Sequence, residues 1–351
     1  MARLGRPTMT DVAARAGVSV STVSLAYSGS GPLTDATRNR VMEAAAAIGY
    51  AGPSPQARAL RSGRTGIVGV VVHERLVRSF RDPLQLRVLD AIMDDLGEMG
   101  MGVLLVPYPA AGQERTLLET AAMDAAIVLN VRDHDEPILD VLRRRSLPTV
   151  AMEAPAGVVD ARVTIDDGAA TGALIRRLVA LGHERIATVT LPMTMAAPTR
   201  VVDPGDLPDP MWTAARNRLD AFAAEGVEPC VIIETSSTMV EAGMEAGRVL
   251  LSHPSRPTAV VCQSDLLAGG VIVAAREAGL EVPRDLSVTG FDGLDLPWLA
   301  PLALTTAAQD GAAKGHAVAG AVRDLLAGGT PGEIRIDLEL REGTTVAPPR
   351  A

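Results

Sequence analysis

This sequence is poor in thiols, lysine and aromatic rings, and each shortage narrows what the protein can be. Cysteine occurs only at Cys230 and Cys262, far apart in the chain. That argues against a disulfide scaffold and against a cysteine zinc site, and points to two buried free thiols. Lysine occurs once, as Lys314, so no phosphate-binding loop ending in Gly-Lys-Ser/Thr is present. Aromatics make up 2% of the 351 residues, which leaves few rings for a ligand to stack on. No apolar run reaches the roughly 20 residues of a membrane helix. The opening Met-Ala-Arg-Leu-Gly-Arg-Pro-Thr lacks the apolar stretch of a signal peptide, so the expected location is cytoplasmic. Gly-x-Ser-x-Gly and His-Glu-x-x-His are missing, and the five histidines are scattered. No catalytic residue, metal site or cofactor is expected. With 47% hydrophobic residues, the chain has ample material for packed cores.

What is present is unevenly distributed. Residues 1–65 hold eight arginines against Asp11, Asp35 and Glu43, a net +5, and the remainder carries −14 of the whole-chain −9. A small basic head on a large acidic body suggests a head that meets a polyanion. Within the head, Thr8-Met-Thr-Asp11 reads as a capping box. Met9, Val12, Ala13 and Ala16 follow at helical spacing, and Gly17 stops the helix. Ser19 starts a second helix with Val23, Ala26 and Tyr27 inward. Thr34 starts a third with Val41, Ala44, Ala45 and Ile48 on its buried face. Two short helices across a tight turn, backed by a third, is the helix-turn-helix plan. A bare three-helix bundle fits the same periodicity.

The residues themselves narrow the choice. Asp11-Val-Ala-Ala-Arg-Ala-Gly-Val-Ser-Val-Ser-Thr-Val-Ser24 and Thr37-Arg-Asn-Arg-Val-Met-Glu-Ala-Ala-Ala-Ala-Ile-Gly-Tyr50 resemble the head of the lactose-repressor (LacI/GalR) family of bacterial transcription regulators. The resemblance implies that Val20, Ser21 and Leu25 read base edges while Thr22 and Ser24 hold phosphates. Leu25 departs from the arginine common at that position, which puts guanine recognition there in doubt. Pro55 and the run Gln56 to Arg61 resemble the family's hinge helix, with Arg58 at the DNA and Leu60 as a minor-groove wedge.

From Gly66 the pattern changes to apolar runs alternating with helical segments. The runs are 67–72, 103–106, 125–129, 149–152, 186–190, 230–233, 259–262 and 286–289. Continuous apolar runs suit strands covered on both faces, so the body reads as doubly wound parallel α/β, enough for two sheets. Gly182-His-Glu-Arg-Ile-Ala187, Ser264-Asp-Leu-Leu-Ala268, Val288-Thr-Gly-Phe-Asp292 and Leu304-Thr-Thr306 extend the resemblance along the body. It implies a periplasmic-binding-protein-like pair of lobes that close on a small molecule. The expected organisation is a head at 1–52, a hinge and linker at 53–65 and an effector-binding, dimerising body at 66–346. The N-lobe would take about 66–165 plus 308–334, the C-lobe about 166–307 plus the tail. The proline-rich stretch 191–211 is expected to form an irregular surface loop.

Ligands of open α/β sheets sit beyond the carboxyl ends of strands, where Glu153, Asp265 and Asp292 fall. Each reads equally as a ligand contact or as a cap. The resemblance favours Asp292, Arg218 and Ser264 as effector contacts, with Glu153 and Gln309 behind them, and leaves Asp265 as the cap of its helix. Phe80 stands near the exit of the first strand, where the family carries a ring. Arg75, Arg78 and Arg81 there suit either an anionic effector or plain surface. Trp212 and Trp298 are candidate stacking platforms. The expectation is a dimeric, effector-responsive repressor of a near-palindromic DNA operator, its effector a sugar or sugar derivative by family default. The alternative is an α/β enzyme, or a metabolite-binding protein without specific DNA binding.

Overall fold

The computed structural model describes residues 7–29, 31–53, 63–72, 80–107, 116–129, 131, 137–194, 196–210 and 212–350. The hinge expectations at Arg58 and Leu60, and the rim arginines Arg75 and Arg78, lie outside them. The chain divides into two compact units, Met1–Gly66 and Ile67–Ala351.

In the first unit, α1 (Met9–Ala16) opens with the capping box: the Thr8 hydroxyl accepts from the Asp11 N–H, and the Asp11 carboxylate accepts from the Thr8 N–H at 2.8 Å. Gly17 closes it at φ +64°, a conformation that lets the chain turn at once into α2 (Val20–Ser28). The third helix, α3 (Asp35–Ala47), is capped by Thr34. Val12, Ala13, Ala16, Val23, Ala26, Val41, Ala44 and Ala45 form a small shared core. Tyr27 and Tyr50 meet edge to face at 5.7 Å, and Arg38 donates to the carbonyl of Ala26 at 2.8 Å, tying α3 to α2.

The second unit holds two sheets. Its first half runs β1 (Ile67–Val72), α4 (Pro83–Glu98), β2 (Gly102–Pro107), α5 (Leu117–Thr120), β3 (Ala125–Leu129), α6 (Pro137–Arg144), β4 (Thr149–Met152) and β5 (Ala161–Thr164). Then come α7 (Asp167–Ala180), β6 (Ile186–Thr190), β7 (Arg200–Val202), α8 (Thr213–Ala224), β8 (Ile232–Glu234), α9 (Val240–Ser252), β9 (Ala259–Cys262), α10 (Asp265–Glu277), β10 (Ser287–Asp292) and β11 (Thr305–Gln309). The chain finishes with α11 (Gly311–Leu326), β12 (Gly332–Arg335) and β13 (Leu338–Arg341).

One sheet is wholly parallel, in the order β12-β5-β4-β3-β1-β2. The other runs β13-β11-β10-β9-β6-β8-β7, parallel inside, with antiparallel strands at both edges. The chain passes between the sheets three times: after β5, after β11 and between β12 and β13. Each sheet has its own core. Val68, Val70, Ile127 and Val150 pack on α4 and α11 through Val88, Ile92, Val318 and Val322. Val189, Ile233, Val260 and Val288 pack on α9 and α10 through Ala246, Leu250, Leu267 and Val271. Cys262 is buried in that second core, where burial pushes its thiol up, and Cys230 is half-buried.

The described part of the stretch 191–211 is more regular than its prolines suggest. It returns to the sheet as β7, antiparallel to β8. The buried Glu234 carboxylate pins it, accepting from the N–H groups of Met193 and Thr194 at 3.1 and 2.7 Å, and from Arg200 Nε at 2.9 Å. Burial alone would raise this carboxyl, but the hydrogen bonds from the Thr194 hydroxyl and N–H and from Arg200 outweigh it and hold it below its ordinary value.

Candidate functional site

In the head, the expected contact residues lie along α2. Val20 is 43% exposed, Ser21 is exposed, and Thr22, Ser24 and Leu25 are half-buried. Ser19 caps the helix and gathers two neighbours: its Oγ lies 2.7 Å from Ser21 Oγ and 2.8 Å from Thr22 Oγ1. Three hydroxyls thus converge on the N-terminus of α2, where free N–H groups and the helix dipole favour an anion. Leu25 leans toward the turn after α2, against Gly31. Val20 and Ser21 therefore form the more open part of this face.

In the body, a cavity of about 140 Å³ opens at the carboxyl ends of both sheets. Val72, Leu129 and Met152, at the ends of β1, β3 and β4, give it an apolar wall with Leu84 and Val88 of α4. Leu191, Trp212, Thr213, Arg218, Ser264, Asp292 and Gln309 face it from the other sheet and its helices. The structure thus brings together Asp292, Arg218, Ser264, Glu153 and Gln309, drawn from five separate stretches of sequence.

Phe80 and Trp298 are not brought there. Phe80 is 45% exposed and does not line the cavity. Trp298 is equally exposed, with its indole against Gly269 of α10, because the short turn after β10 carries it along that helix instead of toward the strand ends. Trp212 does line the cavity. Arg81 pairs at the surface with Glu241 at 2.7 Å.

Arg218 is buried and held on three sides. Its Nε donates to Asp167 Oδ1 at 2.7 Å, one Nη donates to the Gln263 carbonyl, and the guanidinium lies 3.6 Å above the Phe291 ring. Asp292 is buried opposite, and Gln309 Nε2 donates to its Oδ1 at 2.6 Å. Burial raises the Asp292 carboxyl well above its ordinary value, against the pull of Arg218. Glu153 is raised too, by burial, with Lys314 opposing.

Lys314 is the residue that sequence reasoning missed. Its Nζ donates to Glu153 Oε1 at 2.5 Å and to Gln309 Oε1 at 3.0 Å. A continuous polar chain, Glu153–Lys314–Gln309–Asp292, thereby joins the end of one sheet to the end of the other. The available signal was its uniqueness: one lysine among 33 cationic residues, five positions after Gln309.

Asp265 serves differently from the expectation. Ser264 is the cap of α10, its Oγ accepting from the Leu267 N–H at 3.2 Å. Asp265 is fully buried and accepts from the Leu294 N–H at 2.6 Å and the Thr306 hydroxyl at 2.7 Å. It anchors the turn that presents Asp292. A buried carboxylate can satisfy both donors at once, which a helix cap would not require.

Among the described residues, no cluster of histidine, cysteine or carboxylate side chains could hold a metal ion, and no helix is long and apolar enough to cross a membrane.

Residues 8–53 match the family model of bacterial regulatory proteins, lacI family, and residues 175–346 match that of the periplasmic binding protein-like domain. The HTH-type transcriptional regulator Rv3575c of Mycobacterium tuberculosis is 34% identical, over 98% of this chain and 98% of its own. The Lac repressor dimer bound to operator and the anti-inducer ONPF shares the fold at TM-score 0.78 and 22% identity, covering 98% of this chain and 100% of that one. The complex of the transcriptional regulator CelR with cellobiose matches at TM-score 0.66 and 25% identity, over 97% and 100% of the two chains. Relatives of this kind are transcriptional regulators, which sets the enzyme alternative aside.

Proposed function

Because the chain belongs to the lacI family of bacterial regulatory proteins, DNA-binding transcriptional regulators with an effector-binding body, we propose that it acts in the cytoplasm as a dimeric repressor of a near-palindromic operator. The observation that carries this reading is the union, in one chain, of a helix-turn-helix head with a cavity that draws polar side chains from two α/β lobes.

Two heads would enter successive major grooves. Val20, Ser21 and Leu25 would meet base edges, and Thr22 and Ser24 the phosphates. The hinge would add Arg58 at the backbone and Leu60 as the wedge. The effector would lie against Asp292, Arg218, Ser264, Glu153 and Gln309. These side chains come from both lobes, so an occupied cavity favours one lobe arrangement over the other, which is how a ligand shifts a conformational equilibrium. CelR is described with cellobiose, which makes sugars the first class to try.

The test begins with the full-length protein selecting duplexes from a random pool, with and without a metabolite library. A recovered two-fold-symmetric sequence whose affinity changes with one metabolite supports the reading. A protein that recovers no preferred sequence under any condition refutes it. Asp292→Ala is expected to lower effector affinity about a hundredfold, the loss of a buried hydrogen-bonding contact, while operator affinity in the absence of effector stays within about twofold.

A further inference from the structure

Gln263 has no use in that reading, although it holds the cavity wall at three points. It follows β9 directly and is buried. Its side-chain Oε1 accepts from the Leu191 N–H at 3.0 Å, just beyond the end of β6. Its Nε2 donates to the Ala215 carbonyl at 3.1 Å, in the first turn of α8. Its own carbonyl accepts from Arg218, about one turn further along α8. Leu191, Thr213, Ala214 and Arg218 all line the cavity, whereas Gln263 stands behind them. One orientation of the amide serves both partners, oxygen to the N–H and nitrogen to the carbonyl.

The start of α8 depends on such a hold. Trp212 precedes the helix without a side-chain cap, so local chemistry does not fix where the first turn sits. The segment that arrives from Leu191 is fastened elsewhere, through Met193, Thr194 and Arg200 to Glu234. Resting on the effector reading of this cavity, we propose that Gln263 is a positioning residue: its amide fixes the first turn of α8 against the end of β6, its carbonyl aims the Arg218 guanidinium, and this part of the wall is therefore set before the effector arrives. A methionine of similar length satisfies neither partner, an ionised glutamate lacks the donor, and an asparagine is one methylene short of spanning both. A wall fixed in advance spares the effector the entropy of ordering it. Loosening the wall therefore lowers affinity without removing any group that faces the cavity.

The experiment uses the full-length protein and Gln263→Met, which nearly conserves volume in a buried site. The two tryptophans supply local reporters, Trp212 at the start of α8 and Trp298 against Gly269 of α10. Trp298→Phe leaves Trp212 as the sole emitter, and Trp212→Phe leaves Trp298. With Gln263→Met, acrylamide quenching of Trp212 is expected to rise about threefold while that of Trp298 stays unchanged, because the loosening is local. Gln263→Asn, which keeps the amide, gives the same comparison should the methionine variant fail to fold. Unchanged quenching of Trp212 overturns the proposal, and so does an equal rise at both tryptophans, which would mean general loosening of the lobe. Calorimetry with cellobiose, free of the tryptophan substitutions, reads the consequence for binding. An affinity about tenfold lower in Gln263→Met supports the proposal, and equal affinities overturn it. A wild type that takes no cellobiose removes that sugar from the effector reading, and the tryptophan comparison then decides the positioning role by itself.

Discussion

Asp292 and Glu153 share a feature that sequence does not display: both have positive φ, +126° and +49°, although neither is glycine. Such backbone is strained and persists where surrounding contacts hold it, often at binding sites. Here the contacts are the chain through Gln309 and Lys314 and, behind Asp292, the anchor at Asp265. Burial pushes the Asp265 carboxyl up to about 6, against the hydrogen bonds from Thr306 and Leu294. A carboxyl raised in the folded state keeps its proton there after the unfolded chain has lost it. Its contribution to stability is therefore full below its ordinary 3.8 and drains away as pH climbs through about 6. Asp265→Asn takes no part in this titration. The variant is expected to be less stable than the wild type, with the gap narrowing by on the order of 2 kcal/mol between about pH 4.5 and pH 7.5. Urea melts of both proteins across that range check it, and a gap independent of pH would contradict it.

The helices of the head were legible because each carries its own start and stop chemistry. Thr8, Ser19 and Thr34 cap where their positions before apolar periodicity predict, and Gly17 turns the chain. Gly17→Val places a β-branched residue at φ +64° and is expected to cost the head about 1–2 kcal/mol. Hydrogen exchange on the full-length protein is the check: amides of α1 to α3 should exchange about tenfold faster, and those of the body at unchanged rates. Central strands were equally legible, as continuous apolar runs. The edges were not. β7, β12 and β13 are three or four residues long, with Arg200, Glu333, Arg335 and Glu339 exposed, and their pairing comes from neighbours far away in sequence. The same holds for β8, expected at 230–233 and found at Ile232–Glu234, where Glu234 is turned inward to hold the 191–211 segment.

For the full chain, the separation of charge sets the expected behaviour in solution. The basic head would bind duplex by releasing counterions. If each dimer neutralises six to ten phosphates, operator affinity should fall about 10³–10⁵-fold between 50 and 200 mM salt. Leu60→Ala separates the wedge from this general attraction. Operator affinity is expected to drop about a hundredfold while affinity for random duplex barely changes, because unstacking by an apolar side chain contributes only where the bent site repays it. Fluorescence anisotropy on both duplexes decides this, and an equal loss on the two would refute the wedge assignment.

Sequence alone determined the local matters: which segments are helix or buried strand, where the head's helices begin and stop, that its charge opposes the body's, and which family its motifs resemble. These follow from propensity, capping and periodicity, all of which act over a few residues. Tertiary structure alone decided the long-range ones. It matched Arg218 with Asp167, joined Glu153 to Asp292 through Lys314, turned Trp298 away from the cavity and left Gln85 facing it without a partner. Those choices depend on which strand ends meet after three crossings between sheets, and on burial making unmatched charge costly, and neither is a property of any short stretch of chain.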